Sequence, residues 1–393
     1  MKRLAIVTTH PIQYYAPLFQ LIHKRGNIEL KVFYTWGEQV LKDKFDPGFG
    51  KVINWDIPLL EDYSYEFLEN TSLRPGSDHH AGIINPNVIS RINEYDPNTV
   101  LVIGWNFNSH LKVMKHYKGK VPVYFRGDST LLDEQTGFSV RKLLRRAALK
   151  YVYKNVDLVF YTGKANKEYY LKHGLRQSQL RYAPHAIDNA RFNSYDKNAV
   201  DRQKAELGLF NDEIVFLFAG KLEPKKDPSL LLHAFIDAAI SNSHLIIAGD
   251  GILKNELMEL VNAHADRLTT QHKKVHFLPF QNQAEMPVLY RLADVFVLPS
   301  AGPGETWGLA ANEAMASGLA VIVSDRCGCA ADLIDERNGY VFKAGDKLGL
   351  MEMLSDVNRS KEKLTTQKII SPQKIKDFTF THIASAMETA INE

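Results

Sequence analysis

The sequence predicts an α/β protein of two domains, each a parallel β-sheet wound with helices. Three observations carry this reading. The chain has 393 residues, enough for two domains that each bury a core of their own. Short apolar runs alternate with helical stretches in both halves, and a strand–helix–strand succession favours parallel strands. A polar stretch without periodicity, from Arg191 to about Arg202, lies between the halves and reads as a linker. The domains are thus expected at 1–200 and 201–376, with a final amphipathic helix in 377–393.

In the first half, Leu4-Ala5-Ile6-Val7 reads as a buried strand and Thr8-Thr9-His10-Pro11 as the loop after it. A helix is expected from about Gln13 to Lys24, with Pro17 tolerated early in it. Leu30 to Tyr34 is the second strand. From Gly37 to about Gly82 the chain is irregular, rich in Asp, Gly and Pro, and carries Trp55, Tyr63, Tyr65 and Phe67. Loops this long are often functional, and it reads as part of an acceptor-side surface; the alternative is an insertion packed by its own rings. Alternation resumes with strands at Val100–Ile103 and Val121–Phe125. Arg126-Gly127-Asp128-Ser129 then sits at a strand's carboxyl end, where open parallel sheets bind ligands. Ser139 to Lys154 is helical, with Arg141, Lys142, Arg145, Arg146, Lys150 and Lys154 set among Leu143, Leu144, Leu149, Val152 and Tyr153. Such a helix can lie on an anionic membrane surface, although a solvated face above a core stripe is the plainer reading. A strand at Leu158–Tyr161, a helix from about Lys164 to Lys172 and a strand ending near Tyr182 follow.

The second half opens with the buried strand Ile214–Ala219 and the loop Gly220-Lys221-Leu222-Glu223-Pro224-Lys225-Lys226-Asp227. A helix runs from about Pro228 to Ile240, and His244–Ala248 leads to Gly249-Asp250-Gly251. Strands at Val275–Leu278, Val295–Leu298, Ala320–Ser324 and Gly339–Phe342 complete the sheet, with a helix from Met286 to Leu292 among them. After Leu298, Pro299, Gly302, Pro303 and Gly304 break the chain into a loop. Thr306 is the expected N-cap of a helix over Trp307–Ser317, and Gly318 is placed to end it. A strand, a glycine-bearing loop and a helix N-terminus make a ready anion site. Lys221 and Lys226 on the other loop add charge for a diphosphate, or are two surface lysines. Glu305 stands in the loop and Glu313 in the helix. Carboxylates accept paired hydroxyl hydrogen bonds, so a ligand with both phosphates and vicinal hydroxyls would use all of these groups. Two unrelated surface acids would look the same by spacing alone.

Composition removes several classes. A net charge of +3 is too small to argue for nucleic acid. Cys327 and Cys329 are the only cysteines, too close for a structural disulfide and too few for a zinc site, which fits a reduced, cytoplasmic compartment. No apolar run reaches the roughly 18 residues of a membrane span, and no G-x-G-x-x-G follows the first strand, which argues against NAD.

The stretch from Pro303 to Gly318 resembles the E-x7-E signature of the family 4-like retaining glycosyltransferases (glycosyl transferases group 1), which have the two-domain GT-B fold. Gly220-Lys221-Leu222 through Lys226 resembles that family's G-R-L-x-x-x-K pattern, with Lys221 in place of Arg and so without the planar fork. Pro184 to Asp188 resembles its P-x-G-x-D segment, with His185 and Ala186 at the positions usually Asn and Gly. The resemblance is strongest over about 214–342. It implies two Rossmann-like doubly wound domains facing each other across a cleft, the first on the acceptor side and the second binding a nucleotide sugar, with the terminal helix returning to the first. It implies transfer of a sugar from a nucleotide donor to a saccharide or lipid-linked acceptor hydroxyl, in cell-surface polysaccharide or glycolipid assembly. No cofactor is implied, and without a D-x-D pair no metal. Catalysis would fall to Glu305, Lys226 and Lys221. Gly220, Trp307, Gly308, Leu309 and Glu313 would join the lysines in holding the donor, with Glu305 on the sugar hydroxyls and Glu313 on the ribose. His10, Arg126 and Asp128 are candidate substrate contacts in the first domain, whose first loop lacks the glycines usual in the family. The protein would be cytoplasmic, in contact at most with the inner membrane surface. A nucleotide-sugar epimerase of the same fold and a non-catalytic two-domain sugar-binding protein remain as rival readings.

Overall fold

The computed structural model describes every residue except 42–44, 47, 133, 135–138 and 211. In chain order its strands are β1 Arg3–Thr8, β2 Glu29–Tyr34, β3 Phe45–Asp46, β4 Lys51–Val52, β5 Ser64–Phe67, β6 Thr99–Ile103, β7 Val123–Arg126, β8 Leu158–Tyr161 and β9 Leu180–Tyr182. The later strands are β10 Ile214–Ala219, β11 Ser243–Ala248, β12 Lys273–Leu278, β13 Val295–Leu298, β14 Ala320–Ser324 and β15 Gly339–Phe342. Two parallel sheets result, ordered β5-β2-β1-β6-β7-β8-β9 and β12-β11-β10-β13-β14-β15. The central strands β10 and β13 are apolar at every position, and β1 is apolar from Leu4 to Val7, because helices cover both faces. Leu4 to Val7 and Phe216 to Phe218 are fully buried. In each sheet the strand order reverses once, between β1 and β6 and between β10 and β13.

The chain forms two compact units. One comprises Met1–Lys44, Ile57–His185 and Thr379–Glu393; the other comprises Phe45–Asp56 and Ala186–Phe378. The helix Phe380–Asn392 buries Ile383, Ala384, Met387 and Ile391 in the first unit. There Glu388 pairs with Arg25 at 2.8 Å, and the Tyr124 hydroxyl donates to the Ala390 carbonyl at 2.6 Å.

The division thus falls after His185 and not at 200, and 191–202 is no linker. Asp188 and Asp196 cap two helices, Asn189–Asn193 and Lys197–Leu207, through their carboxylates. Phe192 of the first packs on Tyr290, and its carbonyl accepts from Ser317, which binds this stretch into the second unit. The irregular region 37–82 also divides. β5 joins the first sheet beside β2, whereas β3 and β4 form an antiparallel hairpin in the second unit. The hairpin segment is held there by Phe49 against Phe280 at 4.7 Å and by the Asn54 carbonyl, which accepts from Asn282 at 2.7 Å.

Candidate active site

β10 and β13 are the neighbours at which the second sheet reverses, and ligands of open parallel sheets bind outside such a point. The loop after β10 carries Gly220, Lys221 and Lys226. The loop after β13 carries Glu305, Trp307 and Gly308. A backbone bond from Ala301 N–H to the Lys225 carbonyl, 2.9 Å, ties the two loops together. Across them, the Lys226 ammonium is ion-paired with Glu305, and the Ser300 hydroxyl donates to the same carboxylate at 3.0 Å. Both members are mostly buried, with side chains 19% and 9% exposed.

Close backbone approaches build this floor. A Cβ on Gly249 would lie 1.9 Å from the Gly220 carbonyl oxygen, and one on Gly328 would lie 1.7 Å from that of Thr306. Gly249-Asp250-Gly251 is therefore a packing device between loops. Gly328 lets the loop after β14 pair with 305–307, through its own N–H to the Glu305 carbonyl and the Cys329 N–H to that of Trp307. Asp250 accepts from Lys51 and Lys254, each at 2.7 Å, and from the Phe280 N–H. Although its burial opposes the charge, these partners hold its carboxyl down to about 2.

The helix expected from Trp307 starts later, at Leu309, and its N-cap is Gly308 and not Thr306. Gly308 has φ +98°, where glycine alone is at ease, and a Cβ there would sit 2.9 Å from Leu298 Cδ2. Gly318 ends the helix as expected. Its N–H bonds Met315 O while the Leu319 N–H bonds Ala314 O, a Schellman pair.

Glu313 is 2% exposed and accepts from the Tyr290 hydroxyl at 2.8 Å. Trp307 is 4% exposed, and its indole N–H donates to Asn312 at 2.8 Å. Its side chain braces the helix start. Cys327 and Cys329 are free, buried thiols; burial, with the Glu305 charge nearby, pushes Cys327 up to about 12. Lys221 lies 2.8 Å from Asp46 and over the Phe49 ring. The sequence reading missed Asp46, Ser300 and Tyr290. Ser300 alone had a signal, since it opens the loop that holds Glu305.

In the first unit, Arg126 is 1% exposed and donates to the Ala183 and Pro184 carbonyls at 2.7 and 3.0 Å. Both terminal nitrogens thus fasten β7 to the chain leaving β9. His185 lies beside this arginine. Burial, then the neighbouring guanidinium of Arg126, holds it down to about 3, against an opposing Asp128. Tyr15 joins the same cluster, raised by burial and opposed by Arg126. His10 has Nδ1 2.9 Å from the Thr9 hydroxyl and its ring edge-on to Trp36.

Residues 199–369 match the family described as glycosyl transferases group 1. This matched stretch lies within the second unit. An alpha-monoglucosyldiacylglycerol synthase from Acholeplasma laidlawii is 32% identical over 157 residues, 39% of this chain and 38% of that one. A lipopolysaccharide 1,2-N-acetylglucosaminetransferase from Salmonella typhimurium is 29% identical over 171 residues, 42% and 44% of the two chains. The chain spans less than half the length of these curated relatives. The crystal structure of Anabaena HepE in complex with UDP and glucose superposes over 100% of both chains with TM-score 0.70, at 16% identity. The two parallel-sheet domains have the GT-B fold, and the loops around Lys226 and Glu305 lie within the residues that match that family.

Proposed function

We propose that the protein is a retaining glycosyltransferase, moving a hexosyl group from a nucleoside diphosphate sugar to a hydroxyl of a saccharide or lipid-linked acceptor. The carrying observation is the Lys226–Glu305 pair, held at the point where the second sheet reverses. The reading places the protein in the cytoplasm, in assembly of cell-surface polysaccharide or glycolipid. The names of two relatives support that setting, one a glucolipid synthase and one acting on lipopolysaccharide.

In this reaction the bond between the anomeric carbon and a phosphate oxygen breaks, and negative charge grows on the leaving diphosphate. Lys226, Lys221 and the N–H groups of Gly308 and Leu309 neutralise that charge as it forms, the task otherwise given to a divalent metal. Each lysine faces a carboxylate, Glu305 or Asp46, and the reading has the diphosphate take the place of that partner. Glu305, released from Lys226, takes the sugar hydroxyls; Glu313, steadied by Tyr290, takes those of the ribose. The acceptor hydroxyl passes its proton to the departing diphosphate oxygen as the new glycosidic bond forms.

The experiment is nucleoside diphosphate release from UDP-, GDP- and ADP-sugars, with and without candidate acceptors, and NMR of the product's anomeric carbon. Release that depends on acceptor supports transfer. Isomerised donor without acceptor would make the protein an epimerase, and no release from any donor would leave only binding.

A further inference from the structure

The helix Val140–Tyr153 has two apolar faces, and only one of them meets the core. Leu149, Val152 and Tyr153 are buried in the first unit. On the opposite side Val140, Leu144, Ala147 and Tyr151 follow one another at steps of four, three and four, so they form one line along the helix. Val140, Leu143, Leu144 and Tyr151 are 63%, 58%, 66% and 60% exposed. Leu143 and Leu144 are therefore not the core stripe that a solvated helix would need. From Val140 to Asn155 there is no acidic residue. Arg141 borders the apolar line on one side and Lys150 and Lys154 on the other.

A neighbouring helix extends the charge. The Lys115 ammonium lies over the Tyr151 ring at 5.4 Å, so the helix Asn108–Tyr117 continues the same surface. There His80, Lys112, Lys115 and His116 line a cavity of about 510 Å³. Burial, and then the adjacent Lys120 and Lys112, depresses His116.

We propose that this face docks on an anionic lipid bilayer, with Val140, Leu143, Leu144 and Tyr151 entering the acyl boundary and the flanking Arg141, Lys150 and Lys154 on the headgroups. An exposed apolar line edged by cations is the pattern of a helix lying in a membrane interface. Charge complementarity selects the occupant. A second copy would set these cations against their own kind, whereas an anionic surface gains about 1 kcal/mol, roughly fivefold, from each nearby Lys or Arg. No helix among the described residues is long and apolar enough to cross a membrane, so attachment would rest on such a surface. This inference is independent of the donor reading.

The test is co-sedimentation of the full chain with vesicles of phosphatidylcholine alone or with about 30% phosphatidylglycerol. Binding is expected only to the anionic vesicles, weakening from about 0.05 to about 0.5 M salt. Leu143→Glu with Leu144→Glu should lose at least about tenfold, and Lys150→Ala with Lys154→Ala about fivefold per charge, at unchanged melting temperature. A Leu144→Trp variant should be quenched by brominated lipid. Equal binding by wild type and the Leu143/Leu144 variant, no binding to anionic vesicles, or a wild-type dimer that this variant dissociates would each overturn the proposal.

Discussion

Lys226→Ala should injure the protein twice, and the two injuries can be separated. The substitution leaves Glu305 in a side-chain environment only 9% exposed, with Ser300 as its named remaining donor. Removing one partner of a fully buried ion pair costs about 3–5 kcal/mol. Because Lys226 itself is 19% exposed, water can reach the vacated side, and about 2–3 kcal/mol is expected here. For a domain of this size that is a fall of roughly 4–12 °C in melting temperature. Nucleoside diphosphate release should fall by about a thousandfold, since a donor aimed at the leaving group is lost. Adding Glu305→Gln removes the stranded charge. The double variant should recover about 1–3 kcal/mol over the sum of the single variants, yet regain no activity. Urea unfolding of the four proteins, with release assays on each, reads both quantities. A coupling energy near zero would refute the buried pair, and wild-type release from Lys226→Ala would refute its place in the chemistry.

Three further outcomes follow from the geometry. Gly328→Ala puts a Cβ where the Thr306 carbonyl lies, so the 305–307 loop must move; a loss of about 1–3 kcal/mol in urea unfolding, with weakened nucleotide protection in thermal shift, is expected. Asp46→Ala frees Lys221 from a pair whose side chains are 31% and 25% exposed, so at low salt the donor KM should drop by no more than about fivefold, and a rise in KM would contradict it. His110 is fully buried, with Nδ1 2.7 Å from the Gly104 carbonyl and Nε2 2.9 Å from the Thr35 hydroxyl. Burial holds it down from 6.5 to about 4, so it stays neutral in the fold while the unfolded chain takes up a proton. Stability should therefore fall by up to about 3 kcal/mol between pH 6.5 and 4, a loss that His110→Gln should not show.

The sequence made the second domain readable because its chemistry is local. Glu305, Lys226 and Gly318 sit in loops and helix ends whose residue types announce them, and the strands Ile214–Ala219 and Val295–Leu298 are apolar at every position. What escaped was long-range. Asp46 meets Lys221 across 175 positions, and nothing near either residue says so. Asp188 and Asp196 do carry cap chemistry, but their helices lack a strong apolar stripe, so 191–202 reads as linker. Arg126 looks like a site residue from its loop, and only the fold reveals the Ala183 and Pro184 carbonyls it serves. The start of the helix at Leu309 hides behind Thr306, a better cap by type than the glycine that does the capping.

The placement of Phe380–Asn392 has a consequence for synthesis. The first unit is finished only after the second has been made, because its helix Phe380–Asn392 follows the whole of Ala186–Phe378 in the chain. At ordinary translation speeds the intervening stretch takes on the order of tens of seconds to emerge. Until then the surface around Arg25 and Tyr124 stays open to water and to chaperones. A chain cut short at Phe378 would keep every residue of the second unit and still leave its N-terminal companion unfinished.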